Sequence, residues 1–268
     1  MNKFYIQIVF FLLSIFVYAN NEALASEPNI KNYNKVPLST FTHPTPEVLY
    51  EKHKHLLCTN PEEAKQADKL MNEALLHLVY HAKNDDDYKP HRSKLPFQTI
   101  THKKKHEDIT DVLRIKLEVS DPNQYNYSIN KVWNPNSPNS FNTGSVKIVR
   151  VYNPYLIMIQ QRYEEKKGFR QKYFYALAKR AEISEDQAII VITSANINDH
   201  NPSNKQYENT LIKNANLFKT DIDSEDDIRS GKLEKVFVNL AGYLLEKQTD
   251  HIDATYVESV SDIQILIT

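Results

Sequence analysis

Two hydrophobic rhythms divide the chain. From Asn60 to Leu78 the apolar positions Ala64, Ala67, Leu70, Met71, Ala74, Leu75 and Leu78 recur every three or four residues, the spacing of one helix face. Asn60-Pro-Glu-Glu63 opens this run with an N-cap residue, a proline at the first helical position and acids in the first turn. A shorter helix is predicted before it, from about Pro46 to Leu57. After Lys83-Asn-Asp-Asp-Asp87 the pattern changes to short runs of Tyr, Ile, Val, Thr and Phe separated by polar turns, the signature of strands. Strands are predicted near 88–101, 109–119, 145–152, 155–164, 170–182, 187–196, 211–221, 233–247 and 251–260. One helix interrupts them, capped by Asp121, with Pro122 at its first position and its end near Trp133. Asn134-Pro-Asn-Ser-Pro-Asn-Ser140 then reads as a loop, and a further short helix is predicted near Ser203–Tyr207. Strands cluster after the helices instead of alternating with them. That order predicts an α+β fold with an antiparallel sheet and speaks against a doubly wound nucleotide fold.

The N-terminus follows a different logic. Lys3 precedes an almost continuous apolar stretch from Phe4 to Ala19, and Val17-Tyr-Ala19 and Ala23-Leu-Ala25 offer small residues for cleavage. Residues 1–25 are therefore expected to be a secretory signal peptide. Residues 26–45 are polar and carry prolines, as a linker does. Residues 46–268 form the expected folded domain.

Composition narrows the function. Lys and Arg number 33 against 34 Asp and Glu, a net charge of -1, so the basic excess of a nucleic-acid binder is missing. Only four glycines are present, too few for the loops that wrap a nucleotide. Cys58 is the one cysteine, so an internal disulfide is excluded and stability must come from the core. Asn126-Tyr-Ser128 is a formal glycosylation acceptor. G-x-S-x-G, Walker, H-E-x-x-H and C-x-x-C patterns do not occur. His77 and His81 share a helix face but lack a third ligand at suitable spacing, and His102 and His106 flank a lysine run. Asp221-Ile-Asp-Ser-Glu-Asp-Asp227 begins like a calcium loop, yet Asp226 stands where glycine is needed and Lys232 where a bidentate Glu is needed. No metal or other cofactor is expected, and nothing nominates an enzyme.

Longer blocks carry more information than these short patterns. They include the leader Met1-Asn-Lys-Phe-Tyr-Ile-Gln-Ile-Val-Phe-Phe-Leu-Leu-Ser14, His53-Lys-His-Leu-Leu-Cys-Thr-Asn-Pro-Glu-Glu63, Lys69-Leu-Met-Asn-Glu-Ala74 and Lys103-Lys-Lys-His-Glu-Asp108. Further along come Ile129-Asn-Lys-Val-Trp-Asn-Pro135, Lys147-Ile-Val-Arg-Val-Tyr-Asn-Pro154, Ile189-Ile-Val-Ile-Thr-Ser-Ala-Asn-Ile-Asn-Asp-His200 and Leu217-Phe-Lys-Thr-Asp-Ile-Asp-Ser-Glu-Asp-Asp-Ile-Arg229. This collinear series resembles the fam-a multigene family of malaria parasites, which carries a START-related lipid-transfer domain. Gly242-Tyr-Leu-Leu-Glu246 and Asp253-Ala-Thr-Tyr-Val257 look like its late strand pair. The resemblance implies a helix-grip START-like fold, a curved antiparallel sheet around an apolar tunnel. It implies a phospholipid ligand, phosphatidylcholine first, with transient membrane contact and no catalysis. It also implies secretion into the parasitophorous vacuole or the host erythrocyte, although an R-x-L-x-E export signal is not evident.

One departure concerns the end of the chain. START domains close the tunnel with a C-terminal helix, and Ile263-Gln-Ile-Leu-Ile-Thr268 leaves the expectation that this lid helix is missing. Candidate wall residues are Trp133, Ile157, Ile159, Tyr173, Tyr175, Ile190, Ile192, Phe237 and Tyr256, with Arg150 and Arg162 placed to meet a phosphate. The alternative is a non-transferring host-interaction protein on the same scaffold, since fold does not dictate function. Lipid species and oligomeric state stay open.

Overall fold

A computed structural model describes residues 43–91, 100–107, 110–137, 144–165, 167–203 and 207–261. The leader, most of the linker and the last seven residues lie outside them, as does most of the short helix expected at 203–207. Helix α1 spans Pro46–Lys52 and gives way to a single 3-10 turn at Lys54–Leu56, so the helix predicted to Leu57 stops short. Helix α2 spans Pro61–Lys83. Its start forms as its sequence dictates: the Asn60 side chain accepts from the backbone N–H of Glu62 and Glu63 at 3.0 and 3.2 Å, satisfying two donors that the helix cannot.

Strands β1 (Lys89–Pro90), β2 (Ile100–His106) and β3 (Thr110–Val119) follow. A 3-10 turn at Pro122–Gln124 leads into α3, Tyr125–Trp133. Then come β4 (Ser145–Asn153), β5 (Leu156–Arg162), β6 (Lys172–Ser184), β7 (Gln187–Thr193) and β8 (Asn196–Asn198). The last third holds α4 (Lys213–Leu217), β9 (Lys219–Asp221), α5 (Asp226–Arg229), β10 (Glu234–Lys235), β11 (Val238–Lys247) and β12 (Ile252–Val260). The main sheet runs β1-β2-β3-β12-β11-β7-β6-β5-β4, with β10 beside β6, while β8 and β9 form a small parallel pair. Every pairing along the main path is antiparallel. The architecture is the expected α+β, with a large curved antiparallel sheet.

Two strand predictions need correction, and a third lies mostly outside the described residues. The run predicted at 211–221 holds the five-residue helix Lys213–Leu217, with only Lys219–Asp221 extended. Tertiary capping is the cause: the Glu73 carboxylate on α2 accepts from the backbone N–H of Lys213 and Asn214, each at 3.0 Å. Asn209 accepts from those of Leu211 and Ile212. These side chains satisfy the donors that a helix start leaves open. Of the strand predicted at 88–101, Lys89–Pro90 and the start of β2 at Ile100 are extended, and residues 92–99 lie outside the described residues. The strand predicted at 233–247 is broken between β10 and β11.

The sheet separates two apolar layers. Strand alternation decides which residue joins which. On β6, Tyr173, Tyr175 and Leu177 pack with α2, whereas Phe174, Ala176 and Ala178 pack on the opposite face. Helix α2 covers the first face with Leu70, Met71, Ala74 and Leu78, joined by Phe218 and Ile228 from the segment after β8. The second face receives Leu49 of α1 and Tyr125, Ile129 and Trp133 of α3.

Candidate functional site

The α3 face is the candidate site. Helix α3 presents Tyr125, Ile129 and Trp133 at four-residue spacing, so all three point to the sheet. Opposite lie Ile157 and Ile159 of β5, Phe174, Ala176 and Ala178 of β6, Ile190 of β7, Tyr243 of β11 and Tyr256 of β12. The helix rests on β7 and β11. Its nine residues span only about 13 Å, while the sheet path from β4 to β3 is roughly 30 Å wide at the usual strand spacing. The apolar lining therefore extends well beyond the helix that sits on it.

Polar satisfaction differs between the layers. On the α2 face the buried phenols are bonded: Tyr173 Oη donates to Asp199 at 2.8 Å, and Tyr175 Oη accepts from Gln160 at 2.6 Å. Asp199 is in turn paired with Lys235 at 2.9 Å. On the α3 face, Tyr125 Oη, Ser128 Oγ and Trp133 Nε1 are buried without a hydrogen-bond partner. Interior polar atoms are nearly always partnered, and three orphans on one short helix stand out, although Arg180 Nε on this side and Arg114 Nε at the end of α2 are also without a partner.

Glu258 adds a fourth polar group. It follows Ala254 and Tyr256 in the inward phase of β12 and precedes Val260 in the same phase. It is 3% exposed. Burial pushes its carboxyl from 4.5 up to about 8, and no described residue supplies a hydrogen bond or charge to bring it down. Burial also raises the Tyr163 and Tyr243 phenols, and the Glu258 charge adds to both. Tyr163 follows β5, four strands from β12 along the sheet. Curvature thus brings the end of β5 within electrostatic reach of β12.

His81 provides the opposite electrostatic case on the α2 face. Burial, with His106 and His77 beside it, lowers the imidazole from 6.5 to about 4. Its Nδ1 lies 2.9 Å from the Tyr88 hydroxyl. The unfolded chain binds the extra proton at His81 between pH 4 and 6.5, so this group adds stability as pH rises through that window. Glu258 binds its extra proton in the folded state between 4.5 and 8, so it removes stability as pH rises. Below pH 6.5 the lowered imidazoles of His77, His81, His91 and His102 oppose Glu258, and above it Glu258 and the raised His251 both remove stability as pH rises. Stability is expected to fall by about 1.4 kcal/mol per pH unit from 6.5 to 8, and Glu258→Gln to flatten that slope. Denaturant unfolding across pH checks this, and equal slopes for the two proteins would refute it.

The sequence-predicted site residues divide between the layers. Trp133, Ile157, Ile159, Ile190 and Tyr256 meet on the α3 face, and half-buried Ile192 packs against them. Tyr173 and Tyr175 belong to the α2 face, because they have the wrong parity on β6. Phe237 lies between β10 and β11 and stacks on Tyr207, with ring centroids 4.1 Å apart. Neither arginine is placed for a ligand on the α3 face. Arg150 Nη1 donates to Glu63 at 2.7 Å and Nη2 to the Asp221 carbonyl at 2.8 Å. Arg162 forms a two-pronged pair with Asp227 at 2.6 and 3.0 Å and approaches Glu225 at 3.4 Å. Although burial opposes it, hydrogen bonds from Lys147 and Gln160 hold Glu225 down at about 2. The acidic run resembling a calcium loop is thus spent on cations. Sequence reasoning missed Glu258, Tyr243, Tyr163, Tyr125 and Ser128. For Glu258 the signal was present as a charge in the apolar phase of a strand.

No protein-family model matches the chain. No curated protein matches it in sequence. Solved structures do share its fold. Human StAR-related lipid transfer protein 5 matches with a TM-score of 0.51 at 9% identity, over 74% of this chain and 83% of that one. Human STARD10 matches with a TM-score of 0.44 at 11% identity, over 69% of this chain and 65% of that one. The likeness therefore spans just under two thirds of STARD10. The lipid transfer and protein localization domain of human StarD13 (DLC2) matches at 13% identity with a TM-score of 0.44, over 70% of this chain and 81% of that one. At such identities the likeness concerns the fold, which is that of START domains.

Proposed function

We propose that the chain is a non-catalytic lipid carrier that encloses one lipid between α3 and the sheet. The observation that carries this reading is the α3 face itself. It is an apolar layer wider than its helix, with orphaned polar atoms at Tyr125, Ser128, Trp133 and an unpaired Glu258. Acyl chains match such a wall, at about 0.8 kcal/mol per buried methylene, and a few polar groups orient the rest of the ligand. The START fold, shared with a protein named for lipid transfer, supports the same reading. Phosphatidylcholine remains the proposed cargo by family resemblance. The engaged arginines move its phosphate away from Arg150 and Arg162. Delivery through the secretory route rests on the leader-like residues 1–25, and the vacuolar or erythrocyte destination on the resemblance alone. Transient contact with a membrane surface follows from loading and unloading.

Vesicle transfer tests the proposal. Fluorescent phosphatidylcholine in donor vesicles should move to acceptor vesicles at a rate proportional to protein, and the lipid should emerge with unchanged mass. A folded protein that transfers nothing, or that returns hydrolysed lipid, would refute the carrier reading.

A further inference from the structure

We propose that Glu258 hydrogen-bonds an uncharged oxygen function, hydroxyl or carbonyl, of the bound lipid. This rests on the carrier reading and specifies the chemistry of its site. Position points to this role. In register across the sheet, Glu258 stands level with Leu113 on one side and Ala241, Ile192, Ala178 and Ile157 on the other. A lone carboxyl thus interrupts an apolar row, and Ala241 directly beside it leaves room there.

Among the described residues Glu258 also lacks a partner: nothing donates to it, and no cation acts on it. Arg180 reaches the α3 side, but it is engaged with Asn130 at 2.7 Å and Glu182 at 2.7 Å. A buried polar group without a partner is costly, so its retention in this row calls for a ligand. Its charge state points the same way. With the carboxyl midpoint near 8, the group is mainly a neutral acid at pH 7, with one O–H donor and one acceptor oxygen. Among the described residues Arg150 and Arg162 are spent on Glu63 and on Asp227, so neither answers an anionic phosphate beside Glu258. A hydroxyl can use both the donor and the acceptor, and an ester carbonyl can use the donor. Two sources share this chemistry: the free hydroxyl of a diacylglycerol-type lipid, and the ester carbonyl of a phospholipid.

The faces around Glu258 also limit what else titrates. Tyr243 on β11 and Tyr163 after β5 sense its charge, and both phenols are held well above their ordinary value. Below pH 9 the carboxyl is therefore the group that changes state there.

Trp133 is the single tryptophan and lies in this layer, so its energy transfer to a labelled lipid reports binding. The full chain, Glu258→Gln and Glu258→Leu are titrated with labelled diacylglycerol and with labelled phosphatidylcholine in otherwise identical vesicles. Glu258→Gln should bind within about threefold of the parent, while Glu258→Leu should lose about tenfold, the worth of one hydrogen bond. With an ester carbonyl, which needs the O–H donor, parental affinity should fall by about tenfold for each pH unit above the carboxyl midpoint. With a hydroxyl, which can still donate to the carboxylate, it should fall less, and Glu258→Gln should be flat. A preference for diacylglycerol assigns the hydroxyl, and parity between the two lipids assigns the ester carbonyl. Both support the proposal.

An unchanged Glu258→Leu affinity overturns the proposal and leaves the carrier reading intact. So does a Glu258→Gln variant as weak as Glu258→Leu, which would mean an ionised carboxylate holding a cationic ligand group. A parent that binds neither lipid overturns both readings. If Glu258→Leu fails to fold, the pH profile of Glu258→Gln decides.

Discussion

Gly242→Ala is expected to leave the chain unfolded or insoluble. Gly242 sits in the middle of β11, with Val257 of β12 on one side and Val191 of β7 on the other. A Cβ added there would lie 2.1 Å from the Ile190 carbonyl oxygen and 2.9 Å from the Val191 Cα. Both obstacles are backbone, so no side-chain rotation relieves the clash. Moving β11 would in turn break its ladder to β12 and β7, which form the centre of the sheet. A cost above about 4 kcal/mol is in the exceptional range for one substitution and is a large part of a domain's total stability. Solubility on expression, circular dichroism and denaturant midpoint read the effect. A soluble Gly242→Ala protein with the parental midpoint would contradict the strand register.

Arg114→Met is the second large effect, expected to cost about 3 kcal/mol. Arg114 is 1% exposed and points from β3 to the end of α2. Its Nη1 donates to the carbonyls of Asn84 and His81 at 2.7 and 3.3 Å, and its Nη2 pairs with Asp85 at 2.5 Å. The guanidinium also lies 4.1 Å from the centroid of the Tyr88 ring. One buried cation thus closes the C-terminal end of α2, where free carbonyls and the helix dipole favour positive charge. Methionine keeps the stem and loses every bond. Asp85→Asn should cost far less, because that side chain is exposed and its pairing is screened. Chemical denaturation of the two variants separates these contributions. If the two substitutions cost the same, the carbonyl contacts are not what Arg114 supplies.

The sequence patterns that proved legible are those with strong local physics. The Asn60-Pro-Glu-Glu63 start of α2 needs no tertiary help, and the structure places it where the pattern does. Strands β3, β4, β5, β7 and β12 carry long β-rich runs between polar turns, and their predicted limits stand within a few residues of the observed ones. The region from 203 to 236 was less legible. There Glu73, far away in sequence, caps α4, and a side chain 140 residues distant leaves no mark on local periodicity.

The candidate site was half legible for a similar reason. Ile157, Ile159 and Ile190, named as wall candidates, lie in one layer. On β6 the aromatic residues drew attention to Tyr173 and Tyr175, while Phe174, Ala176 and Ala178 face α3. Aromaticity is no guide to side, whereas parity is. The arginines misled because charge alone does not reveal that Glu63 and Asp227 are waiting for them. Glu258 is the converse: parity placed it inward, and only the three-dimensional packing reveals that nothing answers it.

The central claim is that the α3 face encloses a lipid, and native mass spectrometry of the purified chain tests it most directly. The account predicts a protein carrying one lipid per chain, released intact on solvent extraction, with transfer activity in the same preparation. A well-folded chain whose mass is that of polypeptide alone, and which stays so after incubation with vesicles, would contradict it.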